Sequence, residues 1–366
     1  MSQTPRFPAA LLREQTEIIL AGWGMPEETA AQTAELIVET DLLGIDSHGI
    51  SMLPHYQRLL SEGKWYPAGI AKIVSETPVT AVVDGGNSLG HATSLLAVKT
   101  AIEKAKKLGL AAVTVRNSNH FGAAGLYARY AAAQGLIALV TSTTRGSIQV
   151  PTGGKSPVLG TNPIAFSAPA SKNDDFVLDM ATSTVAANKV KVYDFYDKPV
   201  PAGWVVDENG HPVTDTKTAM EYVFQRKEGG LTPVGGAQET GGHKGYGLAM
   251  LAQILAGPLA AAGFGPKQSS DSLPNVGHFF LVIDPKAFRA ESDFESDLDE
   301  IIDTLHATPP TDSRRPVLAA GEPENQTHSQ RSREGIPVPV ALLQQLSELC
   351  VQNRFRNVLG EKQQWV

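Results

Sequence analysis

An α/β fold built on a mixed sheet is predicted, and three observations predict it. From Val79 onward, apolar runs of strand length alternate with segments of helical period. Gly109 and Gly135 stand directly after two of the helical segments, where a C′ residue belongs. Beyond Ser142, glycine and proline become frequent through Pro169, and the short apolar runs Ile164 to Ser167 and Phe176 to Met180 fit a mixed rather than a purely parallel sheet.

The first clear element is a helix from Pro26 through Leu43, because Ala30, Ala34, Ile37, Val38 and Leu42 recur on one face and Gly44 supplies a stop. A second helix is expected with Ser51 as N-cap, carrying Leu53, Tyr56, Leu59 and Leu60 to the core before Gly63. The alternating region then gives a strand from Val79 to Asp84, a helix across Ala92 to Leu108 and a strand from Leu110 to Val115. A helix across Ala123 to Gln134 and a strand from Leu136 to Ser142 follow. A long helix near Lys244 runs through Ala249, Met250, Leu251, Ile254 and Leu255, a composition that predicts burial around most of its circumference. His278 to Asp284 reads as a further strand. Pro309 to Gly335 is polar and lacks apolar period, so it reads as an arm crossing the surface, tied down by a helix resuming at Val340 to Cys350.

The totals limit the classes of function. With 366 residues the chain buries about three quarters of its unfolded surface, as one large or two interlocked domains. A net charge of −7 with scattered basic residues gives no electrostatic footprint for nucleic acid or an anionic membrane. No apolar run approaches the ~20 residues of a spanning helix, and the N-terminus lacks a secretory pattern, so a cytoplasmic protein is expected. The single cysteine, Cys350, lies in the apolar pattern of the C-terminal helix, which predicts a buried structural thiol.

Asp46-Ser47-His48-Gly49 puts a carboxylate, a hydroxyl and an imidazole on a short connection between two helices. An imidazole exchanges protons near neutral pH, so this is a candidate proton-transfer station as well as a candidate helix-junction brace. Asn117 to Gly122 lies at the C-terminal end of a strand leading into a helix, the usual ligand edge of α/β proteins. The exposed amides of that helix start favour an anion such as a pyrophosphate, while a polar turn is the plainer reading. Gly160-Thr161-Asn162-Pro163 and Asp179 to Ser183 offer hydrogen-bonding groups at a turn and a strand end. Lys244 opens the long helix at its positive end, where a cation suits a bound anion better than it suits the helix.

Several chemistries lack their signatures. There is no G-x-G-x-x-G after a strand and no phosphate-loop lysine motif, so a nicotinamide cofactor would need another architecture. Nine histidines occur without H-E-x-x-H or facial-triad spacing, and no metal is expected. A serine hydrolase is disfavoured because Ser47 and His48 are sequence neighbours and no G-x-S-x-G elbow exists.

Taken together, Leu43 to Ile50, Asn117 to Gly122, Gly160 to Pro163, Leu178 to Ser183, Gly242 to Gly247 and Gly321 to Glu324 resemble, in order and over nearly the whole chain, the malate/ureidoglycolate dehydrogenase family. These are the non-Rossmann, second type of lactate and malate dehydrogenase. The resemblance implies a homodimer, a mixed-sheet non-Rossmann NAD(P)-binding domain with a helical N- and C-terminal domain, and hydride exchange between NAD or NADP and a 2-hydroxy or 2-oxo acid. Some members instead reduce cyclic imino acids such as piperideine- or pyrroline-2-carboxylate. The expected division is a helical segment over 1–77, an α/β cofactor and substrate domain over 78–300, and a C-terminal arm and helix over 301–366 packing back on the N-terminal part.

The resemblance also implies roles. His48 matches the proton donor and acceptor, with Ser47 as its companion, and His120 matches a second histidine used as the base in some members. Which of the two moves the proton stays open. Thr161 aligns with a substrate contact. His120 and Phe121, the strand Leu178, Asp179 and Met180, the loop His243, Lys244 and Gly245, and the arm residues Gly321, Glu322 and Glu324 align with cofactor contacts. Lys189 stands where many members carry lysine and imine reducers can carry aspartate, which favours hydroxy acids. Met52 replaces an arginine thought to hold the substrate carboxylate. His55, Arg145 or Lys189 is expected to substitute, and Met52 to give the pocket a flexible apolar wall.

Overall fold

The computed structural model describes residues 4–269, 272–290 and 293–361. Its frame is one seven-stranded sheet: β2 (Lys72–Glu76), β3 (Thr80–Asp84), β4 (Leu110–Ser118), β5 (Ile137–Ser142), β6 (Ile164–Ala168), β7 (Phe176–Met180) and β10 (Val276–Ile283). The order is β2-β3-β4-β10-β5-β6-β7. Only β3 and β4 pair in parallel, and every other neighbour is antiparallel. The late strand β10 therefore splits the β4 to β5 succession, with Phe280 opposite both Val113 and Val140. A mixed sheet of this kind matches the predicted class and excludes the parallel crossover unit of a Rossmann fold. Strand β2, exposed along its whole length, was not foreseen because its apolar residues are not a core face.

Helices α4 (Gly90–Leu108) and α5 (Gly125–Ala132) pack on the sheet. Gly109, at φ 88°, ends α4 in the left-handed conformation that glycine adopts without strain. The core there is small and aliphatic, with Ala97, Val98, Val113, Val115, Ala128 and Val140 fully buried. Helices α6 (Ala187–Phe195) and α7 (Thr216–Phe224), with the short pair β8 (Val205–Val206) and β9 (Gly230–Leu231), enclose a separate cluster of Val190, Val205, Ala219 and Leu231.

The two chain ends share a second large core. Leu12 and Ile19 of α1 (Ala9–Gly22), Ile37 of α2 (Glu27–Leu42) and Leu53 and Tyr56 of α3 (Leu53–Ser61) meet Leu346 and Cys350 of α11 (Val340–Asn353). The pair β1 (Arg6–Phe7) and β11 (Ile336–Pro337) ties the termini together. Cys350 is buried as predicted, and its sulfur accepts from Gln15 Nε2 at 3.4 Å.

Three expectations need correction. Ser51 is not a helix cap, because a 3₁₀ turn over Ile50–Met52 precedes α3 and the hydroxyl of Ser51 donates to the Asp46 carbonyl. The turn is held instead by the buried carboxyl of Asp41, which accepts Ile50 N–H at 2.8 Å. Helix α8 (Gly242–Ala256) is not buried around its circumference: Ala249 and Ala252 face inward, while Leu248, Leu251 and Ile254 are exposed. The polar arm is not irregular throughout, since Glu322 to Glu334 forms helix α10. Its period was invisible because its contacts are polar: Arg331 forks onto the Asp46 carboxylate, and His328 pairs with Glu39 at 3.3 Å. A further helix, α9 (Asp293–His306), runs across the expected boundary at residue 300. No described helix is long and apolar enough to cross a membrane.

Candidate active site

A cleft of about 1190 Å³ opens where the helical end domain meets the sheet. One wall is the connection from Leu43 to His48 plus His55 and Arg58 of α3, and the floor is Asn119 to Gly125 beyond β4. The ends of β5 and β7, with Arg145, Thr161 and Gly321, close it.

The His48 wall is set by Asp41. Burial pushes the carboxyl of Asp41 up to about 8, so at neutral pH it is mostly protonated and still accepts Ile50 N–H. Gly49 is required above it, since a Cβ there would lie 1.9 Å from Asp41 Oδ1. The ring that results has its Nδ1 2.7 Å from Ser47 Oγ, and burial lowers its basicity.

The floor carries the second imidazole. His120 stacks on His48 with ring centroids 5.4 Å apart and planes 26° from parallel. Its Nδ1 lies 2.6 Å from Tyr56 Oη and 3.3 Å from the amide nitrogen of Gly122. Burial, and then the neighbouring His48, hold its pKa well below the usual value. Behind the floor, His278 is engaged at both nitrogens, by Ser142 Oγ at 2.8 Å and Ser118 Oγ at 2.9 Å, and lies flat on Phe121 at 4.4 Å. His91 is fully buried with no partner at either nitrogen among the described residues, and burial lowers its pKa to about 3. Among the described residues no three histidine, cysteine or carboxylate side chains converge as metal ligands.

At the β7 end, Asp179 Oδ2 accepts Gly125 N–H at 2.7 Å. That carboxylate takes up one amide at the start of α5. A Cβ on Gly125 would lie 2.8 Å from the same oxygen, so the glycine admits the aspartate rather than a ligand. Burial raises Asp179 to about 6, and Glu324 adds to the rise. The arm is stitched to β7 by Val177 N–H to the Ala320 carbonyl at 2.9 Å and to α5 by Arg129, which donates to the Gly321 carbonyl at 3.1 Å.

The cleft thus gathers Ser47, His48, His120, Phe121, Arg145, Thr161, Leu178, Asp179, Met180, Gly321 and Glu324. It does not gather the rest. Met52 is no pocket wall, since it packs against the helical core. Lys189 is exposed on α6 with its ammonium 5.6 Å from the Trp204 ring centroid. Glu322 is buried outside the cleft, accepting Ala319 N–H at 2.9 Å and pairing with His306 at 2.8 Å. His243, Lys244 and Gly245 form the first turn of α8, away from the cleft lining of this chain. Sequence reasoning took Tyr56 for core only and passed over His91, Arg58 and Arg129. His91 follows a strand end on the same sheet edge as His120, a placement that was legible.

A family model described as malate/L-lactate dehydrogenase matches residues 7–347. The malate dehydrogenase of Pyrococcus horikoshii is 36% identical over 335 residues, covering 91% of each chain. Among solved structures, malate dehydrogenase from Entamoeba histolytica superposes with a TM-score of 0.90 at 32% identity, covering 97% of this chain and 99% of the other. The Δ1-piperideine-2-carboxylate reductase of Pseudomonas syringae superposes with a TM-score of 0.81 at 28% identity, covering 94% and 100%.

Proposed function

The chain belongs to the malate/L-lactate dehydrogenase family, and from that premise we propose that it interconverts a 2-hydroxy acid and a 2-oxo acid with NAD or NADP as hydride partner. The observation that carries the reading is the pair of stacked imidazoles in one cleft, His48 beside Ser47 and His120 beside Tyr56. The cleft, at about 1190 Å³, exceeds the ~300–1,000 Å³ of ordinary small-ligand pockets, which fits a dinucleotide together with a small acid.

When bound, the nicotinamide supplies or accepts the hydride. The residues of the chain do the rest. His48, with Nδ1 committed to Ser47, uses Nε2 to take the hydroxyl proton in oxidation and return it in reduction. Arg145 lines the cleft without an ion-pair partner among the described residues, and Arg58 lies 3.2 Å from His55 Nδ1. Arg58 is already paired with Glu62 at 3.0 Å, so Arg145, with Thr161, holds the substrate carboxylate. With Met52 outside the cleft, the argument for an apolar substrate side chain falls away.

Asp179 and Glu324 face the cleft beside Arg129, and Glu324 adds to the rise that burial causes in the Asp179 pKa. Such a pair accepts from ribose hydroxyls and repels an added phosphate, which favours NAD over NADP. The exposed Leu248, Leu251 and Ile254 of α8, continued by Leu259, make an apolar face that suits a second copy of this chain. A homodimer would then shield α8, whose first turn bears His243 and Lys244.

The likeness to the piperideine-carboxylate reductase supports cyclic imine reduction as a second reading. Initial rates with NADH and NADPH on oxaloacetate, phenylpyruvate and the cyclic imine separate the two. Turnover of a 2-oxo acid, faster with NADH, is expected. Turnover of the imine alone would replace the leading reading.

A further inference from the structure

We propose that Tyr56 is a positioning residue that holds His120 as the neutral Nε2–H tautomer, so that His120 serves as a fixed hydrogen-bond donor and His48 alone carries the proton. The inference rests on the dehydrogenase reading and deepens it by dividing labour between the two rings.

The argument starts at Gly122. Its amide N–H can only donate, and it lies 3.3 Å from His120 Nδ1 in hydrogen-bonding geometry. Nδ1 must therefore present a lone pair. Tyr56 Oη, 2.6 Å from the same nitrogen, then has to be the donor. Burial pushes the phenol above its ordinary pKa, so it keeps the proton it donates. A neutral imidazole has one N–H, and with Nδ1 accepting twice that proton resides on Nε2. Protonating the ring would set an Nδ1–H against two donors. The surroundings oppose that charge as well: His48 stacks at 5.4 Å, His91 stands edge-on at 6.4 Å, and His55 and His278 add to the same effect.

Both donors are held in place by the fold. Tyr56 is fully buried in the helical core, and its carbonyl accepts the Trp65 indole N–H at 2.9 Å. Gly122 has φ 79°, and a Cβ on it would lie 3.0 Å from His91 Nε2, so glycine is what lets its amide reach Nδ1. His120 Nε2 has no hydrogen-bond partner among the described residues, and His120 lines the cleft. A neutral N–H aimed at the substrate oxygen polarises it without exchanging a proton, the use of imidazole seen where its pKa is depressed.

Neutron diffraction from wild-type crystals near neutral pH reads the proposal directly. A deuteron on His120 Nε2 and on Tyr56 Oη, with none on His120 Nδ1, is expected. A deuteron on His120 Nδ1 overturns it. Tyr56→Phe removes one oxygen and keeps the ring; it should lower kcat by about 3- to 10-fold, the rate equivalent of one hydrogen bond, with the cofactor KM unchanged and a second ionisation entering the pH profile. An unchanged kcat and pH profile in a folded variant also overturns it. Lack of turnover on every oxo acid and imine would defeat the dehydrogenase reading alone, since the neutron result needs no substrate.

Discussion

His48 and His278 are two shielded histidines whose basicity burial lowers, one on the cleft wall and one in the sheet behind the floor. His278 has both nitrogens taken by serines and a face covered by Phe121. His48 has one nitrogen taken and lines the cleft. Residue type and the direction in which burial shifts the ring are alike in the two places, so the count of committed ring nitrogens separates structure from chemistry. A saturated ring fixes a sheet junction, whereas a half-saturated one keeps a site for a proton. His91, with neither nitrogen partnered among the described residues, fits neither case; it packs edge-on against Tyr56 at 6.1 Å and His120 at 6.4 Å.

The hardest test of that contrast is His48→Asn. Asparagine keeps a polar group near Ser47 but cannot shuttle a proton at neutral pH, so kcat should fall by about 10²- to 10⁴-fold. Cofactor affinity, read by fluorescence titration with NADH, should stay near the wild-type value. Wild-type turnover would move the chemistry off this ring. The matching change behind the floor is Ser118→Ala, which leaves His278 Nε2 buried without its partner. Urea denaturation should show a loss of about 1–3 kcal/mol with kcat nearly unchanged. A large fall in kcat with stability intact would break the division between wall and interior.

Much of this frame was legible in the sequence. The alternation after Val79 and the stops at Gly109 and Gly135 led to the mixed sheet, and five of the six short motifs led to the cleft, because each is written in local chemistry. What escaped depends on partners far along the chain. Helix α10 has almost no apolar residues, and it is fixed by Asp46, Glu39 and the β7 edge, roughly 150 to 300 positions earlier. Strand β10 enters the sheet between β4 and β5, a pairing that periodicity does not encode. Tyr56 falls on the apolar stripe of α3, so the pattern reads it as filling, while its hydroxyl reaches a histidine 64 residues away. The apolar α8 suggested burial that one chain supplies only on its alanine side.

The smallest effect sharpens the comparison most finely, because it asks how the single committed nitrogen of His48 is used. In the oxidative direction the neutral ring is the competent base, so kcat/KM rises with pH and levels off above the His48 pKa. Burial places that pKa below 6.5, and the acid limb should lie there. If Ser47 Oγ accepts from Nδ1–H, the bond favours the imidazolium, and Ser47→Ala lowers the pKa further. The limb then moves to lower pH while kcat drops by about 3- to 10-fold, the rate equivalent of one hydrogen bond. A limb that moves upward would mean that Ser47 donates to Nδ1 instead. Neutral His48 would then hold its proton on Nε2, as His120 does, and the proton acceptor would have to be sought elsewhere in the cleft.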